Sequence, residues 1–471
     1  MKTEKPGKAF VIIAGAVAIL FLLSFVPWEG ISGNRLKSFG LFSDLFPSEV
    51  KVTANEAIDP ELTAALAELD ETVTDASTET IDEHDTPSDV LSPANTTVVA
   101  HDDDIDNVSP DGSIVIEDYT AGGSGLSRLR DALADSHNRM VRIAVIGDSY
   151  IEGDILTMNL REMLQDRFGG RGVGYVPAST EIAGFRTSVR EDPHGWTRHE
   201  LRTDAPADMK IIQGEYFTAT DNAHTTYKGV ARLHNVDRWD NTSVMVVAPA
   251  GGNVTITTDA GDNTYELEDD ADVQWISLRE NTSKAAVSVS AGVNVLGVFL
   301  DGDAGVAVDN MSLRGNSGQT HRKLSVERAA QMRPYADYDL IIMEYGINAL
   351  SSQQSDYSGY ATIMTQTIER LKECYPGADI LVLGIGDRGQ KLGSEVKSIP
   401  TAGNMVSAQR KAARKAGVMF WDTRKAMGGD DAVVEWRRKG YINPDYIHLN
   451  AKGGKALADL LFNAIMYSLE N

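Results

Sequence analysis

Cysteine is nearly missing: Cys374 stands alone in 471 residues, which excludes an internal disulfide but says little about compartment. Basic residues are scarce. There are 44 Lys and Arg against 68 Asp and Glu, a net charge of −24, and this argues against nucleic acid as the main partner, because phosphate binding needs cations. No Lys or Arg occurs between Lys51 and Arg128. Long apolar runs are absent but for one, at residues 9–26, and no Ala-x-Ala cleavage site follows it.

That run has about the length of a spanning helix. Lys2, Lys5 and Lys8 precede it and Pro27-Trp28 follow it. This pattern predicts a cytoplasmic amino terminus, a tryptophan at the far interface, and everything after Trp28 outside the cytoplasm. The poor cleavage site favours an uncleaved anchor over a cleaved signal peptide. Residues 33–46 read as a short amphipathic juxtamembrane stretch. The cation-free acidic segment beyond them, rich in Asp, Glu, Thr, Ser and Ala, has too few bulky apolar residues to offset its ordering entropy. It is expected to be a disordered tether, with a transient helix at residues 61–72. Its Asp102-Asp103-Asp104 run lacks the Gly and Glu spacing of a calcium loop.

Order is expected from about Ile114. A helix at residues 126–136 leads into the β-branched run at 141–146, which stops at Gly147-Asp148-Ser149, and a helix-like stretch follows at 156–168. A buried strand that breaks into a Gly turn before a helix leaves its turn side chain at the carboxyl edge of a parallel sheet. Ser149 is that side chain. Phe168 to Pro177 reads as a tight glycine loop. From about Arg186 the period becomes two, with segments at 227–233, 242–247, 253–258, 273–278, 285–289 and 294–300. Short strands with regular turn signals suggest an inserted antiparallel β-sandwich. Helix–strand alternation then returns through residues 324–332, 338–345, 360–375, 379–383, 405–416, 418–421 and 451–469. Together these predict a doubly wound, mostly parallel α/β sheet of flavodoxin-like type. The expected parts are a cytoplasmic stretch (1–8), an anchor or signal (9–28), a juxtamembrane segment and linker (29–113), an α/β domain in two pieces (114–185 and 309–471), and the insertion (186–308).

A serine nucleophile needs a base and oxyanion donors. His448 lies just before the last helix, with Asp445 three residues upstream. In a turn, that spacing lets the carboxylate take the imidazole Nδ1–H, leaving Nε2 free to accept the serine proton. Asp445 or Asn450 would equally serve to cap the final helix. Gly346-Ile347-Asn348 ends a buried strand on the same sheet edge, where an amide NH2 can donate to an oxyanion. Gly315, where the chain re-enters the scaffold, can bring a backbone N–H close to substrate.

In order, Gly147-Asp148-Ser149, Gly315, Gly346-Ile347-Asn348 and Asp445-Tyr446-Ile447-His448 resemble the four blocks of the SGNH hydrolase (GDSL-like esterase) superfamily. The stretch from Ser149 to Asp154, the glycine loop to Tyr175, and Phe420-Trp421-Asp422 followed by Met427-Gly428-Gly429 are similar to extracytoplasmic Gram-negative members that act as peptidoglycan or polysaccharide O-acetylesterases. Some of those carry a β-sandwich, carbohydrate-binding-like insertion at this point. Tyr150 departs from the pattern, since related sequences often have His there. The resemblance covers about Ile114 to Asn471. It implies that Ser149 attacks an acyl carbonyl, that His448 is base and then acid, and that Asp445 orients it. It further implies that the N–H groups of Ser149 and Gly315 and the Asn348 side chain hold the oxyanion, and that no metal or organic cofactor is needed.

The expected function is therefore a serine O-acyl, foremost O-acetyl, esterase acting on an envelope or extracellular glycan. The expected location is the bacterial inner membrane, single-pass, with the catalytic domain facing the periplasm, or secretion after signal cleavage. Two alternatives stay open. One is acetyl transfer to polysaccharide or peptidoglycan from the same site, with a membrane acyltransferase as partner. The other is a non-catalytic protein binding glycan through insertion aromatics such as Trp196, Tyr216, Tyr227, Trp239 and Trp275.

Overall fold

The computed structural model describes residues 62–67, 69, 108–109, 112–180, 186–393 and 395–471. The apolar run at 9–26 and most of the acidic linker lie outside the described residues. Among the described residues, no helix is long and apolar enough to cross a membrane. Within the linker, residues 62–67 are helical. Leu62 and Ala65 are buried there in the same cluster as Tyr357 and Tyr360.

The chain enters through β1 (Glu117–Asp118), α1 (Ser127–Ala134), β2 (Met140–Gly147), α2 (Thr157–Phe168) and β3 (Gly174–Val176). Eight strands follow: β4 (Val189–Glu200), β5 (Glu215–Gly229), β6 (Trp239–Ala248), β7 (Gly252–Thr258), β8 (Gly261–Leu267), β9 (Asp270–Thr282), β10 (Lys284–Val289) and β11 (Asn294–Asp301). The alternation resumes with β12 (Gly305–Ser312), α3 (Val326–Met332), β13 (Leu340–Glu344), α4 (Ser358–Cys374) and β14 (Asp379–Leu383). A small hairpin, β15 (Gly389–Leu392) and β16 (Glu395–Ser398), precedes α5 (Ala402–Ala416), β17 (Met419–Trp421), α6 (Thr423–Met427), α7 (Ala432–Arg438) and α8 (Ala451–Glu470).

The central sheet has the order β1-β17-β14-β13-β2-β12. All its pairs are parallel except β1 with β17. Numbered among themselves, the parallel strands run 2-1-3-4-5, the flavodoxin-like order, whose switch point lies between the first and third strands. Here those are β2 and β13. Both faces are covered. Ala144 and Ile146 of β2 face one cluster, with Met332, Ile363 and Met405. Val141, Ile143 and Val145 face the other, with Leu129, Leu160 and Leu461. A strand buried on both sides favours apolar residues on both faces, which is why this run, apart from the ion-paired Arg142, shows no alternation.

The insertion is one antiparallel nine-stranded sheet, in the order β8-β7-β10-β5-β11-β6-β9 with β3 on β11 and β4 on β5. Its interior is lined by Tyr227, Val244, Ile256, Val287 and Val295. Two boundaries differ from expectation. Gly174–Val176, read as loop, pairs with β11. Val306 to Val308, read as the end of the insertion, belongs to β12 and pairs parallel with β2. Those residues are buried on both faces, the mark of a parallel strand, but a run that short resembles any apolar strand. The insertion is not a satellite. Met245, Val247, Leu296 and Phe299 share a core with Met311, Met332 and Tyr338.

A buried ionic group fastens the same seam. Arg142 of β2 pairs with Asp301 at the end of β11 and with Asp309 of β12. Its guanidinium lies over the Phe299 ring, 5.0 Å from the centroid. Asp309 also accepts the Tyr175 N–H, 2.8 Å away.

Candidate active site

Three turns at the carboxyl ends of β2, β12 and β13 meet the loop that precedes α8. Each is fixed by local chemistry. The last position of β2 is glycine, Gly147, because a Cβ there would lie 2.7 Å from the Glu344 carbonyl oxygen. Gly346 has φ +119°, a left-handed turn that an L side chain resists. The loop after β12 is tied to the nucleophile turn by the Leu313 N–H, which donates to Gly147 O at 2.8 Å. At α8, the side chain of Asn450 accepts from the N–H groups of Lys452 and Gly453. Asn450 is therefore the cap, and Asp445 is left for another partner.

That partner is His448. Asp445 Oδ2 takes the Nδ1–H at 2.9 Å. Its other oxygen accepts the N–H groups of Ile447 and His448, at 2.9 and 3.1 Å. Burial alone would raise the Asp445 carboxyl, but the His448 ring and these two N–H groups outweigh it and hold it below the usual range. The turn between them needs Tyr446 at φ +59°, a strained conformation for a bulky residue, of the kind found at functional sites. With Nδ1 carrying the proton, Nε2 is the acceptor, and Ser149 Oγ lies 3.0 Å from it. The His448 and Asp445 side chains are each 34% exposed, so the dyad is reachable from solvent.

Asn348 lies at the same edge, but its amide is engaged. Nδ2 donates to Asp148 Oδ2 and to the Asn316 carbonyl, both at 2.9 Å. Among the described residues, the N–H groups of Ser149 and Gly315 donate to no partner. Gly315 has φ +72° and open space around it, with only Arg202 within 4 Å of a Cβ built there.

Below the serine lies a group that turn signals do not reveal. Asp148 and Glu344 are both buried and hydrogen-bonded to each other. Burial pushes the Asp148 carboxyl up to about 7, against the pull of the Tyr150 N–H. Burial, and then the Asp148 charge, hold Glu344 well above the ordinary range. The pair therefore keeps a proton near neutral pH. The available signal was a carboxylate ending the otherwise apolar strand β13. Tyr150, the residue that departs from the family pattern, is buried, and its hydroxyl faces Met427 Sδ at 3.7 Å.

Of the aromatics considered as sugar platforms, Tyr227 and Trp239 are sealed in the core at 0% and 1% exposure, which excludes them. Tyr216 is also buried, stacked on His199. Trp275 stacks on Tyr335, and the Trp196 indole N–H donates to Thr225 Oγ1 at 2.8 Å.

Residues 291–456 match the model of the GDSL-like Lipase/Acylhydrolase family. That stretch contains Gly315, Asn348, Asp445 and His448. Ser149 precedes it because the insertion intervenes. No curated protein matches the chain. Among solved structures, a peptidoglycan O-acetylesterase is similar at 21% identity and a TM-score of 0.63, over 75% of this chain and 99% of that one. This likeness shows the fold. A family two carbohydrate esterase from Cellvibrio japonicus matches at 12% identity over 59% of this chain and 95% of its own, with a TM-score of only 0.25.

Proposed function

We propose that this chain, an ester-hydrolysing enzyme of the GDSL-like lipase/acylhydrolase kind, is a serine O-acetylesterase acting on an envelope or extracellular glycan. The observation that carries the reading is the 3.0 Å contact between Ser149 Oγ and His448 Nε2, with Asp445 behind the ring. A non-catalytic sugar binder has no need of that alignment.

In the proposed reaction, Ser149 Oγ attacks the acetyl carbonyl as His448 Nε2 takes its proton. The new C–O bond gives a tetrahedral oxyanion facing the Ser149 and Gly315 N–H groups. Its collapse breaks the bond to the sugar oxygen, which leaves with the proton from His448. Water then attacks the acetyl-serine, with His448 as base again, and acetate departs. Asp445 stabilises the imidazolium in both halves. None of these steps calls for a metal or organic cofactor.

The peptidoglycan O-acetylesterase of similar fold supports a glycan as the alcohol part of the ester. The apolar run at 9–26, read on sequence alone, supports a membrane-tethered enzyme facing the periplasm. The test is hydrolysis of p-nitrophenyl acetate by the full chain. Ser149→Ala should lower kcat by about three orders of magnitude or more. Equal rates for the two proteins would sink the assignment.

A further inference from the structure

Glu344 closes β13 at 3% exposure, hydrogen-bonded to Asp148, which is 0% exposed. Two carboxyl groups in dry contact resist being charged together, so they share a proton at neutral pH. The donors around them decide which one carries it. Asp148 Oδ1 accepts the Tyr150 N–H at 2.9 Å, and Oδ2 accepts from the Asn348 amide at 2.9 Å. Glu344 receives a backbone N–H from Asp148, yet its Oε2 is shut off from solvent and has no donor. A carboxyl oxygen in that state is satisfied by bearing the proton itself and donating it. Glu344 is thus the acid and Asp148 the anion. Burial and the Asp148 charge agree with this, holding Glu344 well above the ordinary range while Asp148 stands at about 7. Around the pair stand His448, ahead of α8, and the phenols of Tyr150 and Tyr345, which burial keeps neutral.

From Asp148 the chain of hydrogen bonds runs on. The Asn348 amide spans from Asp148 Oδ2 to the Asn316 carbonyl, 2.9 Å at each end. Asp148 immediately precedes the nucleophile, and Asn316 immediately follows Gly315. The far end is itself anchored: Asn316 Oδ1 accepts the Gly318 N–H at 2.6 Å, and its Nδ2 donates to Thr320 Oγ1 at 2.5 Å. Asn348 therefore ties together the two turns that carry the Ser149 and Gly315 N–H groups. Its grip depends on charge at Asp148, because a hydrogen bond to a carboxylate is roughly twice as strong as one to a neutral group. That charge depends in turn on Glu344, whose donated proton favours the ionised form of Asp148.

We propose that Glu344 is a positioning residue of the active site: as a neutral acid it holds Asp148 as a carboxylate, and through Asp148 and the Asn348 amide it sets the spacing of the Ser149 and Gly315 N–H groups. The proposal rests on the esterase reading for what those N–H groups do. It goes further in placing part of the oxyanion machinery beyond the reach of substrate, at the buried end of β13, and in giving Asn348 a bridging part in the resting site.

The experiment uses the full chain at pH 8, above the Asp148 value. Glu344→Gln keeps a neutral donor of the same shape, and Glu344→Leu removes it. On p-nitrophenyl acetate, Glu344→Leu should lower kcat by about tenfold or more with KM little changed, and Glu344→Gln should recover most of that loss. With Asn348→Ala already present, adding Glu344→Leu should cost less than about twofold, because the bridge is gone. Amide hydrogen exchange in residues 313–317 should quicken in Glu344→Leu and not in Glu344→Gln. Infrared spectroscopy serves where the leucine variant does not fold: the unsubstituted chain should show a protonated-carboxyl band that Glu344→Gln lacks. A glutamine variant as slow as the leucine one, a full further loss beside Asn348→Ala, or absence of that band overturns the proposal. An inactive unsubstituted chain that keeps the band and the exchange difference sinks only the esterase. An active chain without them sinks only the role of Glu344.

Discussion

His448 offers two ring nitrogens, and the structure gives them different neighbours: a carboxylate at Nδ1 and a serine hydroxyl at Nε2. The carboxylate does two jobs, fixing the tautomer and meeting the positive charge that appears when Nε2 is protonated. Asp445→Asn keeps the shape and removes both. It should lower kcat on p-nitrophenyl acetate by roughly four orders of magnitude while leaving the fold intact by circular dichroism. A loss below tenfold would show that Asp445 only shapes the turn. The neighbouring amide teaches a different lesson. Both hydrogens of Asn348 Nδ2 are taken up at rest, by Asp148 and by the Asn316 carbonyl. The resting site therefore presents two backbone donors, and Asn348 joins them only if one of its present bonds gives way. The sequence pattern identified the residue and its sheet edge. It could not show the engagement, because Asn316 and Asp148 reach the amide only through the tertiary fold.

At the level of elements, β2 and β13 are adjacent parallel strands whose ends each bring a carboxyl into the same dry space. Folding raises the affinity of both for a proton. Stability from the pair is thus complete below the ordinary carboxylate range and is lost as pH rises through about 7, the value for Asp148. The unsubstituted chain should accordingly melt at a lower temperature at pH 8 than at pH 5. Glu344→Gln should flatten that dependence, as read by thermal unfolding at both pH values. An unchanged slope would show that the pair does not hold its proton. The strands legible in sequence were those with strong patterns. β14 falls at its expected residues, and β2 follows its β-branched run. β8 and β4 escaped notice because both are polar edge strands, and β4 carries Pro193 and a bulge between His194 and Trp196. An edge strand needs no apolar face to find its place, so periodicity has little to register.

At the level of the whole molecule, the insertion and the α/β unit are joined by a common core and by Arg142. Arg142→Ala would leave Asp301 and Asp309 buried without their cation. It should cost about 3–5 kcal/mol, measured by urea unfolding. A loss under 1 kcal/mol would mean that apolar packing alone holds the seam. The same seam explains why the domain limits were only partly legible: β3 and β12 trade places across it, and three or four apolar residues do not reveal which sheet they join.

The position of the insertion also governs how the molecule is made. Ser149 and His448 lie 299 residues apart in the chain. At about 5–20 residues per second, roughly 15–60 s of synthesis separates the nucleophile from its base. For about the first half of that interval, until β12 at Gly305–Ser312 and then β13 at Leu340–Glu344 are made, β2 has neither neighbour beside it, and its apolar faces are uncovered. The newborn chain is thus inert toward esters for most of its synthesis, and its first strand needs shelter from aggregation until the insertion is complete.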